Sequence, residues 1–161
     1  MATEANPDKR LAAISLDEAS IGRSSPDREQ ERSIAIFDIL ERNCFAVPGH
    51  ERGPYRLIIA LHEQKLLLDV REEDDTPVIA HLLSLKPLRR VVRDYFLLCD
   101  SYYNAIRTRS ASEIEAIDMG RRGLHDEAAA LLVERLEGKI EVDFETARRL
   151  FTLIAALHWK G

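Results

Sequence analysis

The feature that most narrows what this chain can fold into is a change of hydrophobic period near Pro87. Before it, Tyr55, Leu57, Ile59 and Leu61 fall on one face at period two, and Leu66, Leu68 and Val70 do the same in the next run. After it, Leu88, Val91, Val92, Tyr95, Leu98, Cys99, Tyr102 and Ile106 fall on one broad helical face. Period two puts alternate side chains on one side of a strand, and a period near 3.6 lines them along one side of a helix. Strands grouped in one stretch and helices in another specify an α+β class. The expected architecture is an antiparallel three- to four-stranded meander packed against a C-terminal group of helices.

Smaller signals place the elements. Leu11 to Leu16 alternates weakly and reads as a first strand. Ser24-Ser25-Pro26-Asp27 opens a helix, because a serine can cap free N–H groups, proline fits the first turn and the acids complement the dipole. That helix is expected to reach about Arg42, with Ile34, Phe37 and Leu40 as its inward stripe and Asn43 as its stop. Pro48-Gly49 and Gly53-Pro54 punctuate a loop. Glu63-Gln64 joins the first two meander strands without the glycine or asparagine that a tight turn favours. An acidic turn, Glu72 to Asp75, leads through Thr76-Pro77 into a third strand from Val78 to Leu83.

From Pro87 a long helix is expected to cover the sheet. Ser110 and Glu113 then form a capping box for the next helix, which is expected to break at Gly120-Arg121-Arg122-Gly123. A further helix runs from near His125 to a stop at Gly138. Lys139 to Val142 reads as a short strand or a loop, and Asp143 caps a final helix with Ala147, Leu150, Phe151, Ile154 and Leu157 at core spacing.

Length and charge limit the class. The 161 residues suggest a single domain over 11–161, preceded by a polar tail, 1–10, expected to be disordered. A formal net charge of -5 argues against bulk attachment to DNA or to an anionic membrane, while leaving room for a local basic patch. No apolar run approaches the roughly 20 residues that span a bilayer. Cys44 and Cys99 form no paired motif, and the polar first ten residues do not resemble a signal peptide. A reduced, cytoplasmic protein is the expectation, with Cys99 a buried inert thiol inside an apolar run.

Catalytic and cofactor patterns are missing from the sequence. The five histidines, His50, His62, His81, His125 and His158, form no metal-ligand spacing, and no metal and no cofactor is expected. There is no GxSxG elbow and no phosphate-binding glycine loop. Arg23, Ser24 and Ser25 precede a helix N-terminus, where converging N–H groups attract anions, although ordinary capping explains the same residues. Gly120, Arg121, Arg122 and Gly123 form the most suggestive string. A helix–GxxG–helix–strand order over 113–142 is similar to the backbone-clamping loop of KH RNA-binding domains. It departs from that pattern in an over-long second helix and in Asp126, where an apolar residue is usual. The favoured reading is a helix–helix corner whose arginines pair with Glu115, Asp118, Asp126 and Glu127. Arg89 and Arg93, four apart on one helix, complete a possible arginine-lined anion site.

The strings SIGRSSPDREQERSIAIFDI, GPYRL, DYFLLCDSYYNAIR, IEAIDMGRRGLHDEAA and DFETARRLFTLI together resemble an uncharacterised alphaproteobacterial protein family of the UPF series. The resemblance covers the chain from about Leu11 onward. It implies a bacterial cytosolic protein of one domain with no assigned activity, and it transfers no catalytic or binding residues. The leading expectation is therefore a non-catalytic binding or regulatory protein. It would engage a protein partner, a second copy of itself or a small anion through its arginine-bearing helical surface. The alternatives are RNA binding at 120–123 and an enzyme acting on a phosphorylated or carboxylated metabolite.

Overall fold

A computed structural model describes residues 8–50 and 52–157. In chain order the elements are β1 (Leu11–Leu16), α1 (Glu18–Ile21), α2 (Pro26–Glu41), β2 (Phe45–Ala46), β3 (Tyr55–His62), β4 (Lys65–Glu72), β5 (Pro77–Ser84), α3 (Lys86–Thr108), α4 (Ala111–Leu136), β6 (Glu141–Val142) and α5 (Phe144–Leu157). The class is α+β. β3, β4 and β5 form the expected antiparallel meander. β1 joins it in parallel to β3, so the four-stranded sheet, ordered β1-β3-β4-β5, is mixed. Parallel pairing follows from the long return through α1 and α2, because only a crossover of a dozen or more residues lets a chain re-enter a sheet in the same direction. A small antiparallel pair, β2 with β6, stands apart.

The meander turn is tight. Glu63 and Gln64 both take positive φ, 49° and 65°, the conformation that a two-residue hairpin demands. Its register is fixed by the buried faces: Leu57, Ile59, Leu66, Leu68 and Val70 all point to the core side.

The helix that covers this face is not the expected one. α5 is buried along almost its whole length, and with the C-terminal half of α4 it closes on the sheet. Phe45, Leu57, Leu66, Leu132, Leu150 and Ile154 meet around a small, wholly apolar internal gap. α3 joins the core mainly through its first three turns, with Leu88, Val91 and Val92 buried and Tyr95 and Phe96 packed against them. Of its expected inward face, Ile106 is 52% exposed. The reason is length. At 23 residues α3 runs about 35 Å, whereas the eight-residue strands span about 26 Å, so its far half leaves the sheet behind.

α2 also turns differently from expectation. Ile34 and Phe37 face solvent, and the buried positions are Arg32, Ala35 and Ile39. An arginine is seldom buried unless its donors are used. Here Nε donates to the Ala156 carbonyl (3.3 Å) and a terminal nitrogen donates to the Gly22 carbonyl (2.9 Å). Ala156 lies near the last described residue of α5, so Arg32 ties that stretch of the helix to α2 and to Gly22. Small Ala35 lets α2 approach α5 closely. Asn43 ends the helix as expected, and its side chain bonds both Leu11 N–H (2.7 Å) and the Ile39 carbonyl (3.0 Å).

At the other end of α5, Asp143 accepts from Thr146 N–H (2.9 Å), the cap anticipated from sequence. The buried Thr146 hydroxyl accepts from Cys44 N–H (2.9 Å) and so holds the start of β2. The chain is tied in from Lys9 and Arg10, whose carbonyls accept from Phe45 and Tyr55. Residues 1–7 of the expected tail, and Trp159, lie outside the described residues. Among the described residues no helix is long and apolar enough to cross a membrane.

Replacing Arg32 by alanine removes the donors to the buried Ala156 carbonyl and the part-buried Gly22 carbonyl and leaves a gap between α2 and α5. The Arg32→Ala variant is expected to lose about 2–4 kcal/mol of stability, read from the urea midpoint at unchanged slope.

Candidate functional site

The basic residues singled out in the sequence lie mostly on the antiparallel hairpin of α3 and α4. Ser110 caps α4, its hydroxyl accepting from Glu113 N–H (3.3 Å). The expected break at Gly120–Gly123 does not occur. α4 is continuous over Ala111–Leu136. Two internal glycines cost a helix roughly 1 kcal/mol each relative to alanine, but the helix is held by its packing on α3 and α5. Gly120 faces α3 closely, and a Cβ there would sit 3.5 Å from Leu98. A Cβ at Gly123 would meet nothing within 4 Å. There is consequently no corner, and no clamping loop between two helices. The helical spacing instead puts Arg121 and Arg122 one turn after Asp118, and both bind its carboxylate. Hydrogen bonding from Arg121 holds the Asp118 carboxyl below its usual range.

The other arginines divide between paired and open. Arg121 also lies over the Tyr102 ring, 4.4 Å from its centroid, in cation–π geometry. Arg90 bridges the hairpin, pairing with Asp94 (3.0 Å) on its own helix and Glu127 (2.9 Å) on α4. Arg109 pairs with Glu113 (3.2 Å) and Arg148 with Asp126 (3.2 Å). Arg89 donates to the Gln64 side chain (2.9 Å), and Arg93 comes no nearer than 4.0 Å to Asp94. The structure therefore does not gather Arg89 and Arg93 with Arg121 and Arg122. The first two lie on the outer side of α3, and Arg121 is turned inward onto Tyr102.

At the N-terminus of α2 capping accounts for the serines. Ser25 accepts from Arg28 N–H (3.3 Å), and Ser24 N–H donates to the Glu29 carboxylate (3.0 Å). An acidic side chain thus occupies the place an anion would take, and Arg23 reaches Glu18 at 3.5 Å.

A titratable cluster that the sequence did not reveal sits where α3, α4 and α5 meet. The rings of Tyr95, His125 and Phe151 pack with centroids 5.4 to 5.6 Å apart. His125 Nε2 lies 2.8 Å from the Arg148 carbonyl and 3.0 Å from the Thr152 hydroxyl, and Nδ1 lies 3.3 Å from an Arg148 guanidinium nitrogen. The network assigns the proton to Nε2, which donates to the carbonyl, and leaves Nδ1 to accept from Arg148. Burial, more than the Arg148 charge, lowers the imidazole below its ordinary value. Burial also pushes the Tyr95 hydroxyl up to about 12 and raises the Cys99 thiol. Cys99 is a half-buried thiol in contact with Tyr95 and Arg121. These partners are 23 or more residues apart, and nothing in the local pattern of either segment announces them.

A second feature extends the Arg89–Arg93 pair read from the sequence, through Leu97 and Tyr103, which that reading did not single out. Arg89, Arg93, Leu97, Tyr103 and Arg107 recur at helical spacing along the outward side of α3, with Asp100 as the acidic member of the stripe. Leu97 is 60% exposed and Tyr103 68%. The available signal was that both fall off the main apolar face of this helix.

The chain matches the model of an uncharacterised protein family, UPF0262, over residues 8–160. It is similar to a UPF0262 protein of Rhodopseudomonas palustris (strain HaA2), 62% identical over 94% of this chain and 93% of that one. It is similar to another of Nitrobacter winogradskyi, 62% identical over 94% and 91% of the two chains, and to one of Rhodopseudomonas palustris (strain BisA53), 59% identical over both full lengths. No solved structure matches.

Two outcomes follow from the continuous helix and the buried histidine. Gly123→Ala fills open space on a helix and is expected to raise stability by about 1 kcal/mol, measured by urea unfolding; a loss would mean that the backbone bends there. His125 is held neutral to lower pH in the folded state than in the unfolded chain. Its contribution is complete above about pH 6.5 and is lost as pH falls through the folded value, because the unfolded chain takes up the proton first. The drop in unfolding temperature between about pH 7.5 and about pH 5.5 is expected to be smaller in His125→Gln than in the parent protein.

Proposed function

The chain belongs to the uncharacterised protein family UPF0262, and from that premise we propose a non-catalytic binding role, in which a protein partner docks along the outward stripe of α3. The observation that carries this reading is the stripe itself. Leu97 and Tyr103 stand exposed between Arg89 and Arg93 on one side and Arg107 on the other. Aromatic residues, arginine and a desolvatable apolar centre are the groups in which interface contacts concentrate.

Electrostatics support the same surface. The chain as a whole carries -5, yet this stripe has three arginines against Asp100 alone. Among the described residues Arg107 has no ion-pair partner, Arg93 has only the distant Asp94, and Arg89 is met by a neutral amide. Arg121, Arg122, Arg90 and Arg148 are already balanced by Asp118, Glu127 and Asp126 and have little charge to offer. A partner that fits carries carboxylates beside an apolar ridge.

A photo-crosslinking residue introduced at Asn104, beside the stripe, is expected to give one discrete adduct in cells. The same residue at Ser33 on α2 gives none. Leu97→Glu combined with Tyr103→Glu removes the Asn104 adduct and leaves the unfolding temperature nearly unchanged, because both side chains are exposed. No adduct, an adduct that survives the double variant, or an adduct made only of the chain itself overturns the proposal.

A further inference from the structure

The outer edge of the sheet is open. Among the described residues β5 has β4 on one side and no strand on the other. Sheet edges are commonly blunted by lysine, by proline within the strand or by a bulge that twists the edge away. Over Pro77–Ser84 there is no charged residue. Pro77 stands at the strand's start, and the irregularity in pairing lies at Val70/Arg71, opposite that start. Both faces of the strand show apolar surface, Ile79 at 38% exposure and Leu82 at 47%.

Which backbone groups are free follows from the register. The two-residue turn makes His62 and Lys65 the closing hydrogen-bonded pair, and bonded pairs then alternate along the hairpin. Leu66 and Leu68 consequently direct their N–H and C=O groups to β5, where they face Leu83 and His81. The alternate residues, Ala80 and Leu82, direct theirs outward from the sheet.

The geometry points to a second copy of this chain as the occupant of that edge, with β5 pairing antiparallel to β5 and the sheet continuing across both copies. Charge selects self-pairing and its direction. β5 is preceded by the acidic turn Glu73-Asp74-Asp75 and followed by Lys86. Among the described residues neither Glu73 nor Lys86 has an ion-pair partner. An antiparallel pair sets the acidic turn of each copy beside Lys86 of the other. A parallel pair would set acid beside acid. In the register that opposes Ala80 to Leu82 of the second copy, outward donors meet outward acceptors, and each such pair exchanges two N–H···O bonds. The uncharged strand between brings no like charges together. This surface is separate from the α3 stripe, and either can fail without the other.

The test measures mass in solution and then breaks the edge in two independent ways. Sedimentation equilibrium of the full chain is expected to give about twice 18.3 kDa. Ala80→Pro removes an outward N–H that β4 does not use. It is expected to run as a single copy with its circular dichroism intact. Lys86→Glu and Glu73→Lys are each expected to weaken self-association at least about tenfold by opposing like charges, and an equimolar mixture of the two restores it through complementary contacts. Recovery on mixing is something that simple damage to the fold would not produce. A single-copy mass for the parent protein overturns the inference. So does an unchanged dimer in folded Ala80→Pro, or a mixture that associates no better than either variant alone.

Discussion

The structure depends on the burial of α5 between the sheet and the other helices. Its apolar side chains close the core against β3 and β4, and its small residues bring α2 and α4 close. Such a helix leaves polar backbone groups at both ends that must be satisfied where water is scarce. Asp143 and Thr146 meet the first end and hold the start of β2 with the same turn. Farther along, Arg32 bonds the Ala156 carbonyl and holds Gly22. His125 anchors the flank by bonding the Arg148 carbonyl in mid-helix. Each polar tie on α5 also fixes a neighbouring segment, so the order of the surrounding elements follows from how this helix is satisfied.

That placement decides what remains for the surface. Because α5 and the end of α4 cover the sheet, α3 adds to the core mainly from Leu88 to Phe96. The rest of α3 and the first half of α4 pack on each other, with Gly120 close to Leu98 and Arg90 bridging to Glu127. Arginines facing this hairpin seam are neutralised by carboxylates one helical turn away. On the outward stripe of α3, Arg89, Arg93 and Arg107 have no close carboxylate among the described residues. The division between structural and available basic residues is therefore a matter of helix phase, and it separates Arg121 from Arg93 although both lie in the same hairpin.

Phase is also what the sequence conveyed least well. Element types were legible wherever a period was sustained: the meander at 55–83, the capped start at Ser25 and the helices after Pro87 appear where the spacing placed them, except that two of those helices are joined across Gly120–Gly123. The face of α2 was not, because counting apolar residues favoured Ile34 and Phe37, while the fold buries Arg32 by giving its donors two distant carbonyls. The break at Gly120 was expected from local propensity, which tertiary packing overrides at a cost of about 1 kcal/mol per glycine. The parallel placement of β1 was hidden because a strand's own residues do not encode which neighbour it joins. The His125 cluster joins residues from three helices, and no single segment carries its signal. What could be read was the identity of the charged residues; what could not was which of them the fold would consume.

Both surfaces assigned to interaction fall in one continuous stretch. β5 passes through Leu85 directly into α3, so the open strand edge and the outward helical stripe are consecutive in the chain, from Pro77 to Arg107. The stretch enters the core through Leu83, Leu85, Leu88, Val91 and Val92 near its middle, and both of its arms lie outside. A segment anchored at its centre can present a strand on one side and a helix on the other without exposing the core. The two surfaces also differ in what they recognise. A strand edge reads backbone and is indifferent to side chains beyond their charge and size. As proposed, the α3 stripe would read side-chain chemistry, with apolar groups at its centre and cations at its ends. Joining copies through the edge would therefore duplicate the stripe without consuming it, and would set two identical helical surfaces at a separation fixed by the sheet.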